Sequence, residues 1–186
     1  GMIPNVDVLQ EILAVLKQFP DKPTVFDPVL SSGGGYPFVS SHLVREVTTE
    51  LLPRSLIVTP NTKELEALAV DVDPRLLAAS NDERALQLIK AGTKFVLVTG
   101  THADSKDVEN RLYDESGFVD SWSWPRLAGE YHGSGCTLAS SISGCLANGS
   151  SVVGAVFEAQ QFTWNSLQSG YRIGGGQLIP NRNKGK

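Results

Sequence analysis

Apolar positions along this chain switch between two periods. Val8, Leu9, Ile12, Leu13 and Leu16 recur at helical spacing, with Asn5 placed to cap the run and Pro20 to stop it. Thr24-Val25-Phe26 has the form of a short buried strand and ends at Asp27-Pro28. Leu43, Val44, Val47 and Leu51 predict a second amphipathic helix ended by Pro53. Leu56-Ile57-Val58-Thr59 predicts a second strand, broken by Pro60-Asn61, and Thr62 to Ala69 returns to helical spacing. Asn81 is expected to cap a helix running through Lys90 and ended by Gly92, and Lys94 to Thr99 is a third strand. Past Gly100, Arg111-Leu112-Tyr113 and Phe118 to Trp124 predict two antiparallel strands joined by Glu115-Ser116-Gly117. Gly133 to Asn148 and Ser151 to Gly170 predict two last helices, and the tail with Arg182, Lys184 and Lys186 is expected to fray.

Strands that alternate with helices predict an α/β fold, a mostly parallel sheet with helices on both faces. No repeat or linker divides the chain, so residues 1–186 are expected to form a single domain. Such sheets bind ligands beyond the carboxyl ends of their strands. Here those ends are Asp27-Pro28, Thr59-Pro60-Asn61 and Thr99-Gly100, and they are expected to converge on one crevice.

Composition narrows the function class. The net charge of −4 argues against a broad nucleic-acid surface. No apolar run approaches the roughly 20 residues that span a bilayer, and no secretory signal opens the chain. A soluble cytoplasmic protein with a small-molecule substrate is therefore expected. Glycine is in excess, at 18 of 186 residues, and clusters at Gly33-Gly34-Gly35, Gly133-Ser134-Gly135 and Gly174-Gly175-Gly176. Glycine serves where backbone turns sharply or meets a ligand closely, though each cluster could equally be a loop.

The strongest chemical signal is His132-Gly133-Ser134-Gly135-Cys136-Thr137, directly before an apolar helix. Two glycines let successive N–H groups point one way, and a helix N-terminus adds partial positive charge, which suits a phosphate. Cys136 falls in the first turn, where a thiolate is favoured, so it could take a proton. The alternative is a Gly-Ser turn before a helix holding a small buried cysteine. Cys145, nine positions further on the same helix, would lie roughly 13 Å away, beyond disulfide reach, and is read as a packing residue.

Asn61-Thr62-Lys63-Glu64 opens a helix straight after a strand. An amide and a carboxylate three residues apart share one side of a first turn and could order Mg²⁺ beside a phosphate chain. The same residues could equally make a capping box. Asp27 could add charge to a metal site or begin a turn. Thr99-Gly100-Thr101-His102 could meet phosphate, and the alternating Trp122 and Trp124 are assigned to sheet packing. The chain has no G-x-x-x-x-G-K-S/T, no G-x-G-x-x-G after a strand, no G-x-S-x-G and no Cys/His spacing suited to zinc. A His132/Cys136 thiol hydrolase has the right residue types, but acyl transfer has no need of a phosphate loop with a carboxylate–amide pair.

Together these segments resemble the ribokinase-like superfamily, and within it the phosphomethylpyrimidine kinase branch of thiamine biosynthesis. Val25 to Val29, Val58 through Glu64, Val96 to Gly100 and His132 through Thr137 carry the resemblance in the family's order, with Gly174 to Gln177 and Pro180 a weaker echo. It implies ATP-dependent phosphorylation of hydroxymethylpyrimidine or its monophosphate, with ATP and magnesium (Mg²⁺) required. By the same resemblance Cys136 is the catalytic base, and Gly133, Ser134, Gly135 and Cys136 form an anion hole for the transferred group. Asn61, Thr99 and Gly100 bind ATP, Glu64 and Asp27 hold the metal, and Met2 and Val29 contact the substrate. Alternatives are a pyridoxine-type kinase, towards which Thr99 leans where relatives often carry Lys, and a non-catalytic nucleotide-binding remnant. The family normally extends roughly 80 residues further at the N-terminus, so the fold is expected to be the C-terminal two-thirds of the family's. Strands missing from a parallel sheet expose an apolar edge, so a homodimer or completion by another chain is expected.

Overall fold

The computed structural model describes residues 1–30, 39–100 and 105–183. Gly33-Gly34-Gly35, Thr101-His102 and the tail residues Lys184 and Lys186 lie outside them. The chain divides into two compact units: Gly1–Asp104 with Glu109–Ser121, and Ser105–Val108 with Trp122–Lys186.

In the first unit, helix α1 (Val6–Gln18) starts where the sequence predicts, with Asn5 Oδ1 accepting from the Val8 N–H at 2.9 Å. It buries Leu9 and Leu13. Strands β1 (Val25–Phe26), β2 (Ile57–Val58) and β3 (Phe95–Thr99) pair in parallel, with Val25 opposite Ile57 and Ile57 opposite Phe95. Strand β4 (Asp107–Asp114) runs antiparallel to β3, with Val96 opposite Tyr113 and Thr99 opposite Asn110, and β5 (Gly117–Pro125) completes the order β1-β2-β3-β4-β5.

The segment expected as one helix up to Pro53 changes pitch twice. Helix α2 (Ser41–Glu46) passes into a wide π turn at Val47–Leu51 and a tight 3-10 turn at Leu52–Arg54. Two causes act together. The Thr48 and Thr49 hydroxyls donate to the carbonyls of Arg45, at 2.9 and 2.8 Å, in competition with the helix's own N–H groups. Pro53 has no N–H to continue the α ladder. The apolar stripe still faces inward, with Leu43, Val47, Leu51 and Leu52 buried.

Helix α3 (Thr62–Val72) outlasts its expected end at Ala69 and buries Leu65 and Leu68. Helix α4 (Asn81–Lys90) corrects its expected cap: Ser80, not Asn81, holds that position. Ser80 Oγ accepts from the Glu83 N–H at 3.3 Å while Glu83 Oε2 accepts from the Ser80 N–H at 2.8 Å. That reciprocal box needs an acceptor three residues after the cap, and Glu83 stands three after Ser80, whereas Arg84 stands three after Asn81. Leu65, Leu68, Leu88 and Val96 meet in one core at 0% exposure, each contributing about 2 kcal/mol of burial.

In the second unit, α5 (Ser134–Ala147) and α6 (Val152–Gln168) pack along faces that bury Leu138, Ile142, Ala155, Val156 and Ala159. Trp124 packs as expected of a sheet residue: its ring lies 6.5 Å from Phe157 and 6.2 Å from Trp164, and Nε1 donates to Gln160 Oε1 at 3.0 Å. The tail is not frayed as far as Arg182. Leu178 bridges to Tyr131, Ile179 to Tyr171, and the Asn181 N–H donates to the Ser166 carbonyl at 2.8 Å. Paired backbone, which residue composition does not reveal, holds it in place. Among the described residues no helix is long and apolar enough to cross a membrane.

Candidate functional site

Three strand ends adjoin in the first unit, as the sequence predicts. Asp27 follows β1 directly and is buried at 7% exposure. Its carbonyl accepts from the Val29 N–H at 3.0 Å, so the Asp-Pro step also makes a tight turn. After β2, Asn61 caps α3 by accepting from the N–H groups of Lys63 and Glu64, each at 3.0 Å. Glu64 Oε2 closes the capping box on the Asn61 N–H at 2.9 Å. After β3, Thr99 donates its N–H to the Pro60 carbonyl at 2.9 Å and bridges in parallel to Asn61.

Electrostatics make this more than a helix cap. Glu64 is 8% exposed. Its carboxyl pKa is raised from 4.5 to about 7, first by burial; the Asn61 N–H pulls it back down, the negative charge of Asp27 pushes it further up, and the Leu30 N–H again lowers it. Two buried carboxylates that repel each other form a donor set a divalent cation would relieve. Among the described residues no three His, Cys, Asp or Glu side chains cluster as a metal cage.

Gly100 shows why β3 ends as it does. Its N–H donates to Asn110 Oδ1 at 3.1 Å, and a Cβ added there would meet the Glu109 carbonyl oxygen at 2.1 Å. Asn110, 7% exposed on β4, is a site-shaping residue that the sequence reading missed. Its only sequence signal was its place in a strand pairing that had to be known first.

The second unit holds the Gly-Ser-Gly-Cys turn. Gly133 adopts φ +84°, a left-handed conformation suited to glycine, and so turns the chain into α5. The first intrahelical bond runs from the Thr137 N–H to the Gly133 carbonyl at 3.0 Å. The N–H groups of Ser134, Gly135 and Cys136 lie ahead of that ladder, and Gly133 has no side chain to cap them. Cys136 stands in this first turn with its side chain exposed, not buried. Thr137, 2% exposed, donates its hydroxyl to the Gly133 carbonyl at 2.7 Å and locks the turn. Cys145 is a second free thiol, half-buried; burial and a hydrogen bond with Glu158 push its pKa up, in keeping with a packing role.

Two expected substrate contacts stand outside these clusters. Met2 is exposed. Val29 lines an apolar hollow of about 10 Å³ with Ile3, Leu30 and Leu43, room for no more than one water. Gly174 to Gly176 have open space where side chains would project. Asn110 and the N–H of Leu30 belong to the first cluster and Arg182 to the second, none of them singled out from sequence as a site residue.

Comparison with known proteins places the chain in one lineage. The phosphomethylpyrimidine kinase family model matches residues 1–181. A chloroplastic thiamine biosynthetic bifunctional enzyme of Arabidopsis thaliana is 38% identical over 169 residues, covering 90% of this chain and 32% of its own. The hydroxymethylpyrimidine/phosphomethylpyrimidine kinase of Streptomyces coelicolor is 34% identical, covering 95% of this chain and 64% of its own. This chain thus spans about a third of the plant relative and just under two thirds of the bacterial one. The solved pyridoxal kinase of Staphylococcus aureus in complex with ADP superposes with a TM-score of 0.85 over 99% of this chain and 66% of that one, at 22% identity, a likeness of fold. The α/β architecture is therefore ribokinase-like, and the chain belongs to the phosphomethylpyrimidine kinase family.

Proposed function

We propose that this chain carries out ATP-dependent phosphorylation of hydroxymethylpyrimidine or its monophosphate. The observation that carries the reading is Cys136: an exposed sulfur in the first turn of a helix whose leading amides no side chain caps. Cys136 Sγ takes the proton of the acceptor hydroxyl. The acceptor oxygen then bonds to the γ-phosphorus, the bond from that phosphorus to the bridging oxygen breaks, and ADP leaves with the electron pair. The N–H groups of Gly133, Ser134, Gly135 and Cys136 hold the equatorial oxygens, which needs positioning and charge stabilisation rather than covalent chemistry. Asn61, Thr99 and Gly100 line the nucleotide's place, and the acceptor ring meets the exposed Met2 and the exposed part of Val29 rather than the small hollow behind it. Asp27 and Glu64 would hold Mg²⁺, which when bound offsets phosphate charge. A second copy or another chain beside the edge strand β1 belongs to the same proposal, and sedimentation reads it directly.

The family match favours the pyrimidine over a pyridoxine-type acceptor. The decisive assay follows ATP to ADP with hydroxymethylpyrimidine against pyridoxine. Turnover on the pyrimidine that Cys136→Ala lowers at least 100-fold supports the reading. Nucleotide binding with no turnover would make the chain a binding remnant, and a Cys136→Ala rate within twofold would remove Cys136 as the base.

A further inference from the structure

We propose that Arg182 is a further contact to the transferred phosphoryl group, an inference that rests on the kinase reading above. Its guanidinium is anchored beside the start of α5. Nε donates to Thr137 Oγ1 at 3.0 Å, and Thr137 is itself tied to the Gly133 carbonyl at 2.7 Å. Nη2 lies 3.2 Å from the point where a side chain on Gly133 would begin. The backbone delivers Arg182 to this spot: the His132 N–H donates to the Leu178 carbonyl at 2.9 Å and the Asn181 N–H to the Ser166 carbonyl at 2.8 Å.

Arg182 is exposed, so water screens its charge, but its placement runs against the helix dipole. A helix N-terminus carries roughly half a positive charge and favours anions, so a cation there is repelled. Cations that serve a fold sit at helix C-termini or against carboxylates. Among the described residues no carboxylate lies within ion-pair distance of Arg182. Two positive potentials, the leading amides and a guanidinium, thus lie side by side at the start of α5, and an anion there would satisfy both. With Nε spent on Thr137, the terminal N–H groups of the guanidinium remain for paired hydrogen bonds to the oxygens of a phosphoryl group.

The test compares wild type, Arg182→Gln and Arg182→Lys in two measurements. One is thermal unfolding with and without inorganic phosphate; the other is ATP-to-ADP turnover with hydroxymethylpyrimidine. Phosphate is expected to raise the wild-type midpoint saturably. Arg182→Gln should bind it about 10- to 100-fold more weakly, the range for a charged hydrogen bond, and lose kcat/KM in the same range. Arg182→Lys should fall between, since one ammonium cannot both hold Thr137 and reach the anion. Without phosphate, Arg182→Gln should unfold close to the wild-type midpoint, because the hydrogen bond to Thr137 and the repulsion from the helix N-terminus are lost together. A tail pin with no ligand role gives the opposite pattern, a lowered midpoint with phosphate affinity and turnover unchanged, and that result overturns the proposal. Arg182-dependent phosphate binding without turnover in any variant would instead count against the kinase reading and leave the anion contact standing.

Discussion

The backbone N–H of Gly100 donates to Oδ1 of Asn110 at 3.1 Å, so the end of one strand is held by a side chain from its antiparallel neighbour. Gly100 also presses so closely on Glu109, the residue before Asn110 on the same strand, that a Cβ would stand 2.1 Å from its carbonyl oxygen. Gly100→Ala must move backbone and is expected to cost about 3 kcal/mol in chemical denaturation. Asn110→Ala leaves a buried N–H unpaired and should cost about 1–3 kcal/mol. A loss below 0.5 kcal/mol for both would mean the contact does not shape the strand end.

Glu64 makes a signed prediction about pH. Its carboxyl is raised in the folded state from 4.5 to about 7, chiefly by burial. Below about pH 4.5 the group is protonated in both folded and unfolded chains. Between there and about pH 7 the unfolded chain ionises it while the folded chain keeps the proton, so its contribution to stability falls as pH rises, by roughly 3 kcal/mol in all. Above pH 7 the loss is complete. Denaturant titrations of wild type and Glu64→Gln across this window should show the variant's stability falling less with pH. Parallel curves would refute the assignment.

Mg²⁺ should act on the same carboxylates. A cation competes with the proton on Glu64, so stabilisation by Mg²⁺ is expected to grow from pH 6 to about pH 8, the range that brackets its pKa of about 7. Asp27→Asn and Glu64→Gln should each reduce that stabilisation. A response to Mg²⁺ in both variants equal to that of wild type would place the ion elsewhere.

Cys136 separates chemistry from folding. Its side chain is exposed, so Cys136→Ala and Cys136→Ser should change stability by no more than about 0.5 kcal/mol. Loss of turnover in a variant of unchanged midpoint therefore reports on the reaction. A large drop in stability would show the sulfur to be a packing atom.

The cap of α4 can be read by mutation. Ser80→Ala removes the acceptor of the Glu83 N–H and should cost about 1 kcal/mol, whereas Asn81→Ala, one residue into the helix, should be near neutral. Reversed magnitudes would restore Asn81 as the cap.

The patterns a sequence determines are local ones. Period and punctuation placed α1, β1, β2, β3, α5 and α6 within a few residues, since helices and strands declare their buried faces through spacing. The capping box of Asn61 and Glu64 and the Gly-Ser-Gly-Cys turn were legible for the same reason: each is a bond between near neighbours in the chain. Residues far apart in sequence were decided only by tertiary structure. Strand pairing brings Asn110 to Gly100, and backbone pairing of the tail brings Arg182 to Thr137, 45 positions away. The raised pKa of Glu64 likewise depends on burial and on the nearness of Asp27. Spacing along a chain encodes which face a residue shows, but which partner it meets across the fold depends on how separate segments pack, and no local period carries that information.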